Sequence, residues 1–277
     1  MHFRSRLLTV MLVTFSVFCL LSPALAGQWE PFDVPGAQNT LIYGINDLGD
    51  FVGEFYNSDG IDHGFVYSSG KITQISYPGA LATTVNGNND AGQLVGVWVD
   101  QSGHIRGYYF DGTNYTNLDF PGSTVTRAND VNNFGTVVGY YTASDGTTHG
   151  YQWVNGIFTT IDVPNAPSTS INGINDNGDI VGSLSPHAGF VMSGGKTQIL
   201  IVPNIAQTYP NGINNLGTIV GEAAGKRDLS FIFGGGTYTS FLVPDEISTI
   251  AHQINTSGVI VGTYRDFNLK SHGFVTK

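Results

Sequence analysis

Three histidines each stand directly before a Gly-aromatic pair, in His63-Gly64-Phe65, His149-Gly150-Tyr151 and His272-Gly273-Phe274. Imidazole titrates near neutrality and is a common general acid or base, but catalysis needs one partnered imidazole. These are spread along the chain in one repeated column, which Arg106, Ala188 and Leu229 fill elsewhere, so the pattern reads as packing at a strand edge. Asn175, Asn177 and Asp179 alternate like the oxygen ligands of a calcium loop. The equivalent triplets Asn46-Leu48-Asp50, Asn132-Phe134-Thr136 and Asn214-Leu216-Thr218 lose ligands, and calcium wants six or more oxygens. An Asx-type turn with a glycine at positive φ accounts for every copy instead. The sequence carries no metal or cofactor motif. It has no Gly-x-Ser-x-Gly elbow and no His-Glu-x-x-His, and Ser144-Asp145-Gly146 lacks the spacing of a sialidase Asp-box, so no catalytic residue is assigned. Scattered carboxylates could still meet in space, as glycosidase acids do.

Two other groups suit binding. Tyr56 and Asp59, Trp98 and Asp100, Tyr141 and Asp145, His187, Glu222 with Arg227, and Tyr264 with Arg265 all fall in one variable loop zone. Aromatics beside acids fit a sugar or peptide, because a ring stacks while carboxylates accept hydroxyl or amide protons. The same residues also fit ordinary hairpin tips, where Asp-Gly is turn chemistry. The second group is a column reading Tyr43, Asn86, Asn129, Asn172, Asn211 and His252. On an innermost strand it would ring an axial channel or satisfy backbone between neighbouring units, and Tyr43 and His252 are its two departures.

These groups are held by a sixfold repeat. Prolines at 35, 78, 121, 164, 203 and 244 and asparagines at 46, 89, 132, 175, 214 and 255 advance together by 43, 43, 43, 39 and 41 residues. Glycines at 49, 92, 135, 178, 217 and 258 and at 53, 96, 139, 182, 221 and 262 keep the same intervals. Each unit holds four short β-branched or aromatic runs punctuated by Pro-Asn, Asn-Asp-x-Gly and Gly-Gly signals, with no apolar stripe at helical spacing. The expected fold is all-β, a six-bladed β-propeller with four strands per blade. A lone Trp29-Glu30-Pro31-Phe32-Asp33-Val34-Pro35 run at the start matches the one missing after His272-Gly273-Phe274-Val275, so the N-terminal strand is expected to complete the last blade. The order within a blade, from the axis outward, would be the Ile-Asn, Val-Gly, Gly-Phe and Pro-terminated strands.

Residues 1-26 read as a signal peptide, with Arg4 and Arg6, an apolar run Leu7 to Leu21, and Ala24-Leu25-Ala26 as a cleavage site. The mature chain, 27-277, would then be one exported domain, periplasmic or extracellular, with no membrane anchor after cleavage. It would lack cysteine, since Cys19 lies in the leader. Nine basic residues would remain against 21 acidic ones, an unsuitable surface for nucleic acid or anionic membrane.

The His-Gly-Phe triplets, with Ile-Asn-Asp-x-Gly and Val-Gly upstream and Ile-Asp-Val-Pro downstream, resemble the bacterial extracellular repeats of the HAF family, named for a His-Ala-Phe triplet. Glycine replaces the alanine here, His187-Ala188-Gly189-Phe190 is a variant, and three copies keep the histidine in register. The resemblance implies export and repeat architecture and carries no catalytic residues. The expected function is a secreted, non-catalytic propeller binding a glycan, peptide or protein partner on its loop face. A polysaccharide hydrolase or lyase using loop-face carboxylates, and a structural envelope or matrix protein, are the alternatives. The candidate binding residues are Tyr43, His252, Tyr56, Asp59, Trp98, Asp100, Tyr141, Asp145, His187, Arg227 and Arg265.

Overall fold

A computed structural model describes residues 29–277; the leader assigned to residues 1-26 lies outside them. The chain forms six four-stranded antiparallel sheets arranged as a six-bladed β-propeller. Five blades are consecutive in sequence: β2–β5 (39–75), β6–β9 (82–118), β10–β13 (123–161), β14–β17 (169–200) and β18–β21 (207–241). The sixth combines β22–β24 (248–276) with β1 (Trp29–Phe32), which pairs antiparallel with β24, Trp29 opposite Thr276 and Phe32 opposite Gly273. Phe32 then packs edge-on against Phe51, 4.8 Å between ring centroids, so the joining strand also contributes to the core beside the first blade.

Two repeated side chains hold the blades to one another. Each repeat asparagine accepts backbone N–H bonds within its own turn; Asn132 Oδ1, for example, takes those of Phe134 and Thr136 at 3.1 and 3.0 Å. Its side-chain amide donates to the carbonyl of the equivalent asparagine in the next blade. The series runs Asn46 to Asn89, Asn132, Asn175, Asn214 and Asn255, and returns from Asn255 to Asn46, at 2.9 to 3.2 Å throughout. The Asx turn is therefore also a closed circle of buried hydrogen bonds around the axis. The glycine three residues on has positive φ in each copy, 87° at Gly49 and 88° at Gly258, as this turn requires. Threonine makes the second tie: Thr40, Thr83, Thr126, Thr169, Thr208 and Thr249 accept from the backbone N–H just before each repeat proline, at 2.9 to 3.0 Å. This anchors every connection between an outer strand and the next inner strand.

The core lies between the blades. The aromatic or phenolic ring of each third strand, Phe65, Tyr108, Tyr151, Phe190, Phe231 and Phe274, is fully buried; five sit in apolar clusters with Val, Ile, Leu or Ala side chains, and Tyr108 meets the rings of Tyr77 and Tyr115. A blade has two apolar faces, and only its neighbours can cover both. The recurring histidines belong to the blade edges: His63, His149 and His272 pair with Asp59, Asp162 and Asp33 at 3.0, 2.8 and 2.8 Å. Arg106 fills the same column and meets Asp119 at 2.7 Å.

Candidate functional site

Every pairing of a first with a second strand contains a register shift at one shared position, Tyr43, Asn86, Asn129, Asn172, Asn211 or His252, and β10–β11 has a second at Thr124. The bulge leaves the residue unpaired in its own sheet and re-aims its side chain toward the axis. It also explains the second glycine column, since a Cβ on Gly53 would collide with the Leu41 carbonyl oxygen, and one on Gly139 with that of Arg127. Backbones approach there too closely for any side chain.

The six bulged residues line a funnel of about 530 Å³ that opens on the face carrying the blade-to-blade connections. Four of them make their own blade contact: Asn86, Asn129, Asn172 and Asn211 donate to the carbonyls of Ala128, Ile171, Pro210 and Ala251 at 2.8 to 3.0 Å. Both roles open to this column hold together, because a side chain can brace the next blade and still face the cavity. Tyr43 and His252 meet edge to face, 5.1 Å between centroids. Desolvation lowers the His252 imidazole to about 4, so it is neutral at physiological pH, with one ring nitrogen donating and one accepting.

Below this ring the axis is blocked. The next column is Gly44, Gly87, Gly173 and Gly212 in four blades, but Asp130 in the third and Gln253 in the sixth, which is opposite. Gln253 Nε2 donates to Asp130 Oδ2 at 2.9 Å, and that oxygen also accepts from Ile174 N at 3.0 Å. A small recess of about 50 Å³ on the other face includes Asp130 and Gln253 in its lining and shares no residue with the funnel. The funnel is therefore blind.

Its walls differ chemically around the ring. The first blade contributes carboxyls: Glu54 is only 6% exposed, and its Oε1 accepts from Tyr43 Oη at 2.8 Å and Tyr56 Oη at 3.2 Å. Burial raises the Glu54 carboxyl above the ordinary range; the two phenols and the Arg127 charge oppose that shift, while Asp62 adds to it. Asp62 lines the cavity beside Glu54 and is itself raised by burial. The second blade presents an apolar wall of Ala82, Val97, Val99 and Ile105. The third supplies Arg127 and Tyr140, which are register partners on adjacent strands. Such a cavity can take a small polar molecule with one apolar face, offering hydrogen-bond groups of both kinds and charges of both signs.

Of the residues singled out from sequence, Tyr43 and His252 line this cavity and Tyr56 adjoins it through Glu54. The others lie outside its lining. Trp98 stacks on Tyr77 at 4.2 Å and donates to Asn117 Oδ1, and Tyr141 stacks on Phe120 at 3.6 Å, so both join a blade to its connection. Asp59 and Asp100 accept the backbone N–H groups of Ile61 and His104, and Asp145 accepts the Thr147 hydroxyl, all inside their own hairpin tips. These bonds hold the three carboxyls below the usual range. Arg227 donates to the Ile247 and Glu246 carbonyls, the His187 carbonyl accepts from Thr208 N, and Arg265 is exposed at the end of its strand.

Sequence reasoning passed over Glu54, Asp62, Arg127, Tyr140, Asp130 and Gln253. Their signal lies in other columns of the repeat. Arg127 alone carries a charge where the other copies read Leu41, Thr84, Ser170, Tyr209 and Ile250. Glu54 and Glu222 alone carry one in the column with Val97, Tyr140, Ser183 and Thr263.

No protein-family description matches this chain, and no curated protein matches it in sequence. Solved structures do match it in fold. AofleA from Arthrobotrys oligospora aligns with a TM-score of 0.60 at 12% identity, over 90% of this chain and 87% of that one. The β-propeller domain of the Trilobed protease from Pyrococcus furiosus gives 0.53 at 8% identity, over 87% and 94%. A mutant of the Aleuria aurantia lectin, in complex with Fucα1-6GlcNAc, gives 0.50 at 10% identity, over 87% and 92%. At these identities the likeness is one of architecture.

Proposed function

We propose that this protein is an exported, non-catalytic β-propeller that binds a carbohydrate in its axial funnel. The observation that carries the reading is the funnel itself: a blind cavity of about 530 Å³ whose lining combines phenols, four carboxamides, a neutral imidazole and an apolar wall. Sugars present hydroxyls that both donate and accept and a C–H face that prefers apolar contact, which this lining complements. Support for carbohydrate over peptide comes from the Aleuria aurantia lectin, a propeller of similar fold in complex with Fucα1-6GlcNAc. Export rests on Arg4, Arg6 and the apolar run that follows them, and accords with the HAF-type repeat resemblance. The test is a glycan array probed with the chain from residue 27. Binding that disappears in Tyr140→Ala and survives in Trp98→Ala is expected; absence of any glycan ligand, or the reverse pattern, defeats the reading.

A second reading, a polysaccharide hydrolase or lyase, is favoured by one observation, the buried Glu54 carboxyl with raised proton affinity beside Asp62 in the same cavity. Reducing-end release from polysaccharides by the unaltered chain, abolished in Glu54→Gln, would select it. A bland matrix role leaves the funnel without a purpose.

A further inference from the structure

Arg127 is the one residue of fixed positive charge in the funnel lining. Elsewhere Arg106, Lys270 and Lys277 each have a carboxylate partner, and Arg227 is taken up by backbone carbonyls. Among the described residues no ion pair engages Arg127, although it is half buried in a chain with ten more negative than positive charges. A guanidinium withdrawn partly from water and left without a partner is unfavourable unless something else supplies an anion. No ion pair joins it to the acidic groups sharing the cavity: Glu54, on the first blade, feels the Arg127 charge from across the cavity, while its Oε1 is engaged by Tyr43 and Tyr56.

The cavity is thus polarised, with a fork of N–H donors beside a phenol on one side, an apolar wall in the middle and hydrogen-bond acceptors on the other. We propose that the funnel selects an acidic sugar, its carboxylate held by the Arg127 guanidinium. A hexuronic acid has the matching sequence of groups: a planar carboxylate for bidentate pairing, a ring C–H face for Val97, Val99 and Ile105, and hydroxyls directed to Glu54, Asp62 and the floor carboxamides. Tyr140, opposite Arg127 in the register, is placed to donate to the same carboxylate or to the ring oxygen. The overall negative charge of the chain works against long-range attraction of such a ligand, so selection is local and acts after entry, through the lifetime of the complex.

This inference rests on the carbohydrate reading, and the experiment separates the two. Calorimetric titration of the chain from residue 27 uses methyl uronides of gluco, galacto and manno configuration alongside the corresponding uncharged methyl hexosides. The expected result is at least one uronide bound roughly tenfold or more tighter than its neutral counterpart. Arg127→Met, which keeps much of the side-chain length, should bring the pair to parity, the uronide losing roughly tenfold more affinity than its neutral counterpart. Arg127→Lys keeps charge but not the planar fork, and should retain a smaller preference; it also serves if the methionine variant fails to fold. Equal affinity of the unaltered chain for both sugars overturns the inference and leaves carbohydrate binding standing. Binding of neither overturns both, and a uronide preference unchanged in Arg127→Met and Arg127→Lys overturns it by placing the anion elsewhere.

Discussion

Gln253 reaches across the axis of the ring and donates its side-chain amide to Asp130 on the opposite blade, Nε2 to Oδ2 at 2.9 Å. The two residues are 123 positions apart in sequence and replace the glycines found at their column in the other four blades. Their contact closes the channel that six converging glycines would leave.

This bridge should make stability depend on pH. Burial is the largest influence on Asp130 and raises its carboxyl from 3.8 to about 7, against the opposing bonds from Ile174, Val131 and Gln253; Asp176 adds to the rise. The folded state then holds a proton that the unfolded chain has released between those values. The Asp130 contribution is fully present below about pH 4 and is lost as pH rises through about 7. Glu222, raised to about 7 by burial, and Glu54 act in the same direction. Urea denaturation should therefore show greater stability at pH 5 than at pH 8, and Asp130→Asn should flatten the profile by about 2 to 4 kcal/mol. An unchanged profile in that variant would mean that another group titrates.

The asparagine circle should carry more stability than the exposed side-chain bonds made by the residues next to it in sequence. Asn132→Ala deprives two backbone N–H groups and one carbonyl of buried partners, and is expected to cost about 2 to 4 kcal/mol in urea unfolding. Asn133→Ala removes bonds to Asp90 and Asp176 that water can replace, and should cost about 1 kcal/mol or less. Equal losses would show that the circle has no special role.

Glu54 also leaves a signature on its phenol partners. Tyr56 is raised to about 12, first by burial and then by Glu54 and Asp62. Glu54→Gln removes one charge while its carbonyl oxygen still accepts, so the Tyr56 phenol should titrate lower, remaining above its ordinary value of 10.0 because burial persists. Ultraviolet phenolate titration reads this directly; no downward movement would place Glu54 away from Tyr56 in solution.

Aromatics at the periphery should behave as scaffold. Trp98 and Tyr141 stack on Tyr77 and Phe120, so replacing either with alanine is expected to lower stability by about 1 to 3 kcal/mol and leave funnel binding unaltered. Tyr140→Ala, next to Tyr141 in sequence but in the cavity lining, should do the opposite. Thermal melts and titration of the same three variants decide between these outcomes.

The blade count, the strand number per blade, the Asn-Gly turns and the inward column of Tyr43, the four asparagines and His252 were legible because each depends on local chemistry that repeats about every 42 residues. Proline fixes a turn, glycine permits a positive φ, and β-branched runs favour extended chain wherever they occur. The bulge that aims this column was not legible, since it appears only when two strands align and one backbone leaves no room for a Cβ beside the other. Trp98 and Tyr141 are binding candidates by residue type, yet strand alternation turns them toward the blade interface while their neighbours Val97 and Tyr140 face the funnel.

Sequence alone thus determined the sixfold β architecture, because backbone preferences act over a few residues and the repeat states them six times. Only the tertiary structure decided the site. Closing the ring brings Glu54, Arg127 and His252 to one cavity and Asp130 to Gln253, and charge, burial and hydrogen bonding act across space on side chains that lie far apart along the chain.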